Sequence, residues 1–190
     1  MPMWRTRPAD ELSRYWAAQK LPVRLGAPRE TVRQFETTHN VSLPTEVREY
    51  FLKHDGMSSD SHYGIDKAGF SLWELARVRP AAEELSSYSL PVPEGHGLDE
   101  SFAFADYLDW SWAYAIRLTA NPREGRVVMI GTADHRPLEI ASSFGEFVAL
   151  LVRDSPRLYP AAPEKAIRNQ PDPQLTPNRE ISPELLCSGD

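Results

Sequence analysis

Apolar residues in the first third of the chain recur at the three- and four-residue spacing of an amphipathic helix. This pattern predicts a helix over residues 9–19 and two more that begin near Pro28 and Pro44, because proline is favoured in the first turn of a helix. Gly56 is expected to end the third helix, since glycine adopts the left-handed backbone of a helix cap without strain. The apolar positions of these helices are Leu12, Tyr15, Trp16, Val32, Phe35, Val47, Tyr50 and Phe51.

Beyond residue 68 the pattern changes to the alternation and short apolar runs that are typical of β-strands. A short helix is predicted at residues 79–87, and the capping-box spacing of Ser143 and Glu146 predicts a closing helix to about residue 153. Strands are predicted over residues 69–75, 102–107, 112–118, 126–131 and 137–141. Helices, then antiparallel strands, then one helix predict an α+β fold with a central, mostly antiparallel sheet of about four to five strands.

Proline content divides the chain into a folded part and a tail. Residues 155–190 hold 7 of the 17 prolines and little apolar sequence. Proline removes backbone donors and blocks helix propagation, and too little apolar surface remains to offset the entropy of ordering. Residues 156–190 are therefore predicted to be a disordered tail, and a single folded domain is expected over residues 5–155.

Composition argues against a membrane or secreted protein. The longest apolar run is residues 147–152, far short of the roughly 20 residues that span a bilayer. The N-terminal sequence has no apolar segment of the kind found in a secretory signal. The single cysteine, Cys187, excludes an intramolecular disulfide and a cysteine-based zinc cluster. We therefore expect a cytoplasmic protein without membrane contact.

Acidic residues are concentrated in the centre of the chain. Residues 55–109 contain 3 Lys or Arg and 11 Asp or Glu, a net charge of −8 within a chain whose total is −6. This argues against nucleic-acid binding, which needs a cationic surface, and is compatible with a basic protein partner. The other interpretation is a solvated acidic surface that only aids solubility.

The segment FAFADYLDWSWAYAIRL, residues 102–118, places Asp106 and Asp109 beside Trp110 and Trp112. Along a continuous strand the two acids point to opposite faces, so they converge only if the chain turns between them. Trp110, Trp112 and Tyr114 share parity, and that face is either core or an exposed binding patch. The small residues Ala113 and Ala115 indicate that a helix packs closely on the other face.

Sequence motifs of known catalytic chemistry are missing, and no catalytic residue, metal or cofactor is predicted. The chain has no Gly-x-Ser-x-Gly elbow, phosphate-binding glycine loop or dinucleotide fingerprint. His54, Asp55, Asp60 and His62 are metal-ligand types within one loop, but they match neither the zinc-protease helix pattern nor a calcium loop. A metal-assisted hydrolase using this loop is the least favoured alternative.

Several motifs in order resemble the SUKH superfamily. TVRQFETTHNVSLPTEVREYFLKHDG, residues 31–56, is similar to its leading motif, a helix with a Phe-Glu pair, a link ending in Leu-Pro, and a second helix closing near Gly. The Phe-Glu pair is Phe35 and Glu36, and the Leu-Pro pair is Leu43 and Pro44. IASSFGEFVALL, residues 140–151, is similar to the closing helix. The resemblance covers about residues 25–155.

This resemblance implies a binding module without shared catalytic residues. Fungal members regulate cell-wall assembly, and many bacterial members look like immunity proteins that neutralise toxins, often nucleases. We therefore expect an immunity protein that blocks a basic toxin domain, and the alternative is a regulatory scaffold whose tail recruits partners. The residues expected to contact the partner are Asp55, Asp60, Asp66, Trp73, Asp99, Glu100, Asp106, Asp109 and Trp110.

Overall fold

The computed structural model describes residues 7–57, 64–94, 97–123 and 125–160. These residues form five α-helices and eight strands, together with short 3₁₀ helices at Leu98–Glu100 and Pro156–Leu158. The helices are α1 (Pro8–Gln19), α2 (Arg29–His39), α3 (Thr45–Lys53), α4 (Ala81–Ser87) and α5 (Phe144–Val152). The strands are β1 (Val23–Leu25), β2 (His54–Met57), β3 (Phe70–Leu72), β4 (Arg79–Pro80), β5 (Ser101–Tyr107), β6 (Trp112–Arg117), β7 (Val127–Ile130) and β8 (Leu138–Ala141).

The strands form two antiparallel sheets. Six of them make the main sheet in the order β3-β5-β6-β7-β8, with β4 pairing alongside β5, and β1 and β2 form a separate pair. Strands β5 to β8 are joined in sequence order as a meander, so each neighbour is also the next strand in the chain. The predicted α+β class with a mostly antiparallel sheet is confirmed.

The main sheet carries a core on each face. Helices α1, α2, α3 and α5 contribute to the larger core, in which Trp16 and Phe147 are fully buried. On the other face α4 packs against β5, and its Leu85 lies in a smaller core with Ala113 and Ala115. The prediction that small residues mark a closely packed helix is confirmed.

The predicted helix starts lie where expected, and the end of α3 does not. Pro28 and Pro44 immediately precede α2 and α3, and the Ser143 hydroxyl accepts a hydrogen bond from the N–H of Glu146 at 3.1 Å. The third helix ends at Lys53 and passes directly into β2, which places Gly56 inside the strand with φ of 76°. The prediction of a Gly56 cap was wrong because β1 pairs with β2 and extends its backbone.

The folded part continues past the predicted boundary at residue 155. Leu158 is fully buried, and its carbonyl accepts a hydrogen bond from the Tyr114 hydroxyl. Tyr159 contacts the rings of Phe70, Tyr107 and Trp112. These contacts place Pro156–Leu158 and Tyr159 in the domain, since aromatic burial offsets the cost of ordering the chain. The rest of the predicted tail, residues 161–190, lies outside the described residues.

Glu146 near the start of α5 makes a pH-dependent contribution to stability. Its carboxylate accepts hydrogen bonds from the Ser142 hydroxyl at 2.6 Å and N–H at 2.9 Å, and it pairs with Arg157 at 2.9 Å. These donors favour the ionised form and lower the pKa of Glu146 to about 2. Since the ordinary value is 4.5, this stability is fully present above pH 4.5 and is lost as the pH falls through about 2.

We expect a Glu146→Gln variant to lose less stability than the parent chain when the pH is lowered from about 5 to about 3, because the group that becomes protonated is gone. Urea unfolding at a series of pH values measures this slope. Ser142→Ala removes the strongest donor and should flatten the slope in the same direction. Parallel slopes for all three chains would contradict the assignment to Glu146.

Candidate protein-binding site

A pocket of about 530 Å³ lies beside the hairpin that joins β5 to β6. The end of β2, strand β3 and the segment after it form its walls, and the hairpin forms its rim. We call it the Trp73 pocket. Its lining residues are Met57, Gly64, Ile65, Ser71, Leu72, Trp73, Glu74, Arg77, Asp106, Leu108 and Asp109.

Three side chains on one wall of this pocket are held together by polar contacts. The indole N–H of Trp73 donates to Asp106 Oδ2 at 2.5 Å, and Arg77 Nη2 lies 3.4 Å from the same oxygen. The guanidinium carbon of Arg77 lies 3.8 Å from the centre of the Trp73 ring, a cation–π contact. Trp73 and Asp106 are buried, while Arg77 is exposed.

Burial raises the pKa of the Asp106 carboxyl above its ordinary value of 3.8, although the Trp73 N–H and the Arg77 charge both favour its ionised form. The neighbouring carboxylate of Asp109 adds to the rise through repulsion. Asp106 is therefore a buried acid whose charge is only partly balanced. Its hydrogen bond from Trp73 and its ion pair with Arg77 join the three side chains of this wall.

The rim of the pocket is a hairpin tip, residues 108–111, with an unusual backbone. Leu108, Asp109 and Trp110 have φ of 44°, 53° and 72° in succession. Each residue other than glycine costs about 1 kcal/mol in this left-handed region, and aspartate tolerates it better than leucine or tryptophan. Such strain persists only where surrounding contacts impose it, and it is concentrated at functional sites.

Contacts from several elements impose this tip conformation. The N–H of Leu108 donates to Gly69 O at 2.9 Å, and the N–H of Trp110 donates to Asp106 Oδ1 at 3.3 Å. The indole N–H of Trp110 donates to Glu84 Oε1 on α4 at 2.6 Å. The tip is therefore anchored on both its pocket side and its α4 side, which makes it a rigid projection.

Trp110 and Trp112 lie on opposite faces of the sheet. The Trp110 ring stacks on Tyr88 at 4.1 Å and lies against Gly131, where a Cβ atom would come within 2.7 Å of the indole. Trp112 instead stacks on Tyr107 at 4.2 Å on the larger core. The predicted common face for the two tryptophans was wrong, because the chain reverses at the tip between them.

Exposed apolar side chains cluster around the tip. Leu108 is 48% exposed and Ile65 is 37% exposed, and both line the Trp73 pocket. Tyr88, on the other side of the tip, is 49% exposed while its ring covers Trp110. Exposed apolar groups beside a pocket with a charged rim are typical of protein-binding surfaces.

The structure brings four of the predicted contact residues to this region. Trp73, Asp106 and Asp109 line one pocket, and Trp110 stands next to Asp109 at its rim. Asp106 and Asp109 border the same pocket because the chain turns at the tip, the condition under which the sequence allowed the two acids to converge. Of these four, Asp109 is exposed and Trp110 is half-buried. Trp73, at 2% exposed, supports the wall and does not project as an anchor.

The other predicted contact residues lie elsewhere. Asp55 accepts a hydrogen bond from the N–H of Leu75 at 2.8 Å, and Asp66 is 5% exposed and holds the turn before β3. Asp66 is therefore internal and not a surface contact. Asp99 and Glu100 are exposed at the opposite end of β5, about 20 Å from the tip for a strand of this length. Asp60 lies outside the described residues.

Ion pairs within the chain neutralise part of the acidic centre. Glu74, Glu84, Glu100 and Asp106 each pair with an arginine, at distances that include 3.0 Å for Arg24–Glu74 and 2.5 Å for Arg117–Glu100. Among the described residues, Asp109 has no such partner. The sequence did not predict these ion pairs. It also did not identify Leu108, Ile65, Arg77 and Tyr88 as site residues, because only tertiary contacts bring them to the pocket and the tip.

The part of the chain that the structure describes shows neither a cluster of metal ligands nor a membrane-spanning helix. No group of three or more His, Cys, Asp or Glu side chains there is arranged to hold a metal ion. His54 contacts Trp16 and the Ser13 hydroxyl, and burial lowers its pKa from 6.5. None of the described helices is both long and apolar enough to cross a bilayer.

Comparison with known families assigns the chain to a family. Residues 26–150 match the SMI1 / KNR4 family (SUKH-1). The chain belongs to this family. The match covers the domain from the link before α2 into α5, and so contains the Trp73 pocket and the hairpin tip. Comparison with curated proteins gives no significant match.

The leading SUKH-1 motif has a structural role here. Glu36 of the Phe-Glu pair accepts a hydrogen bond from the N–H of Leu43 at 2.7 Å and binds Arg48 through both carboxylate oxygens, at 2.7 and 2.5 Å. It therefore joins α2, the Leu-Pro link and α3 through one side chain. Arg48 is 39% exposed and Glu36 is 14% exposed, so the pair is only partly screened by water.

We expect Glu36→Ala to reduce the free energy of unfolding by about 2 kcal/mol, because it removes a charge-assisted pair and leaves the Leu43 N–H without its acceptor. Glu36→Gln keeps an acceptor for that N–H and should cost less. Urea unfolding at neutral pH measures both changes. Equal stability of Glu36→Ala and the parent chain would show that the motif does not hold the link.

Proposed function

We propose that this protein is a non-enzymatic, cytoplasmic binding domain that neutralises a basic toxin domain, such as a nuclease, by covering its active cleft. Membership of SUKH-1 supports a binding domain of the immunity-protein or cell-wall-regulator type. The observation that carries the proposal is the hairpin tip. It is rigidly held, yet it projects exposed Leu108 and Asp109 beside a pocket.

Occlusion follows from the chemistry of the tip. A nuclease cleft must be cationic to bind phosphate, so an exposed carboxylate on a rigid projection competes for the same groups. The exposed apolar side chains around the tip supply area that leaves water when the complex forms. Rigidity reduces the entropy lost on binding, which favours tight association.

Co-expression tests this function. The full chain is expressed together with each toxin domain encoded in the reading frames adjacent to its gene, and cell survival is scored. We expect survival with one toxin domain and a stable complex between the two purified proteins. Failure to protect against every such toxin domain would contradict an immunity function.

The second candidate is a regulatory scaffold, which the proline-rich composition of residues 161–190 favours. Deleting these residues separates the two functions. An immunity protein that acts through the hairpin tip should keep its protection, whereas a scaffold should lose its partners. Loss of protection in a truncated chain that remains folded by circular dichroism would favour the scaffold.

A further inference from the structure

We propose that the Trp73 pocket binds an arginine side chain of the partner protein, with the guanidinium paired to Asp109 and the aliphatic stem packed against Leu108 and Ile65. This inference rests on the proposed binding function and assigns it a recognition chemistry. The charges in the pocket, its apolar walls and the geometry of its rim all favour an arginine side chain.

The charges in the pocket leave one carboxylate without a cation. Glu74, Asp106 and Asp109 line it. Arg24 pairs with Glu74 at 3.0 Å, and Arg77 lies 3.4 Å from Asp106. Among the described residues nothing pairs with Asp109, which is exposed at the rim. One additional cation therefore completes the pairing and screens Asp109 from its neighbour Asp106.

The apolar walls select a cation with a long aliphatic stem. Leu108 and Ile65 are half-exposed on the pocket, and Met57 and Leu72 are buried beneath it. Long basic side chains bury their methylene groups on such surfaces while the charged head remains at the rim. A small inorganic cation would leave these apolar groups in water, so the pocket favours a side chain over an ion.

Arginine fits this rim better than lysine. The planar guanidinium matches a carboxylate through two parallel hydrogen bonds, and it stacks on other planar groups. The pocket already contains one guanidinium, Arg77, which lies over the Trp73 ring at 3.8 Å and reaches Asp106. Arg77 thus occupies the Trp73 face and Asp106, and Asp109 is the carboxylate left for an incoming guanidinium.

Nuclear magnetic resonance of the full chain tests this inference with a defined probe. The peptide acetyl-Gly-Arg-Gly-amide is titrated into the labelled protein, and a peptide with citrulline in place of arginine is the neutral, nearly isosteric control. The signals of interest are the Trp73 indole N–H and the backbone N–H groups of Leu108 and Asp109. Asp109→Asn is the test variant, since asparagine tolerates a left-handed backbone, and Asp99→Asn is its matched control.

We expect the arginine peptide to shift these signals in a saturable way, with the citrulline peptide causing much smaller shifts. In Asp109→Asn the dissociation constant should rise about fivefold, and in Asp99→Asn it should not change. Equal shifts from both peptides, shifts centred elsewhere, no saturable shift, or an unchanged constant in Asp109→Asn would overturn the proposal.

Two other occupants have distinct signatures in the same experiment. Dependence of the pocket signals on protein concentration, without peptide, would identify a second copy of the chain. Displacement of signals from residues 161–190 by the peptide would identify the tail as the occupant. Either result overturns the proposal. Toxin protection without peptide binding would reject the arginine pocket alone, whereas peptide binding without any protection would reject the immunity function and leave the pocket.

Discussion

Replacing Trp73 with alanine is expected to lower the free energy of unfolding by about 3–5 kcal/mol. Trp73 is 2% exposed, so its removal leaves a large cavity in the smaller core. The change also removes the N–H that donates to Asp106 at 2.5 Å and leaves that buried carboxylate without its main neutral donor. Urea or thermal unfolding measures the loss.

Trp73→Phe separates packing from the hydrogen bond. Phenylalanine keeps an aromatic face for Arg77 but lacks the N–H, so about 1–3 kcal/mol should be lost through Asp106. If Asp106 is the cause, a Trp73→Phe, Asp106→Ala double variant should lose less than the sum of the two single changes. Additive losses would show that the Trp73–Asp106 contact does not support the pocket wall.

Asp109→Lys is expected to weaken binding to the toxin domain by about 2 kcal/mol, roughly a thirtyfold rise in Kd. The carboxylate is exposed at the rim, and reversal of its charge would repel the basic groups of the partner. Isothermal titration calorimetry measures the affinity, and stopped-flow mixing shows how much of the loss lies in the association rate.

The matched control is Asp99→Lys, which changes the net charge equally at the far end of β5. It should alter affinity little beyond a salt-dependent effect on association. Asp109→Asn should fall between the parent chain and Asp109→Lys, and unfolding of each variant shows whether the tip is still folded. Equal weakening by Asp99→Lys and Asp109→Lys would mean that net charge, and not the tip, determines binding.

Short sequence patterns predicted the helices and strands whose signals lie within a few neighbouring residues. The meander from β5 to β8 and helix α5 follow the predicted ranges closely, since alternation, turn residues and the Ser143 cap all lie within short windows. Pro28 and Pro44 likewise precede their helices. In contrast β1 has only three residues, and β2 contains no apolar alternation, so their pairing could not be predicted.

The candidate site could be predicted only in part, because its backbone conformation and its ion pairs depend on residues distant in the sequence. The acids and tryptophans of the site were identified from the sequence, but the left-handed run at Leu108, Asp109 and Trp110 has no glycine or asparagine to signal it. Tertiary contacts impose that conformation. Likewise, the arginines that neutralise Glu74 and Glu100 lie 50 and 17 positions away in the sequence, so only the fold reveals which acids remain available.

Amide hydrogen exchange of the full chain, with and without the toxin domain that it neutralises, shows whether the partner binds at the Trp73 pocket and the hairpin tip. We expect slower exchange in the complex at the hairpin tip, at residues 64–65 and along residues 71–77, with little change at Val23–Leu25 or Leu98–Glu100. Protection centred on Leu98–Glu100 or on the α1 surface, with the tip unchanged, would contradict binding through the Trp73 pocket.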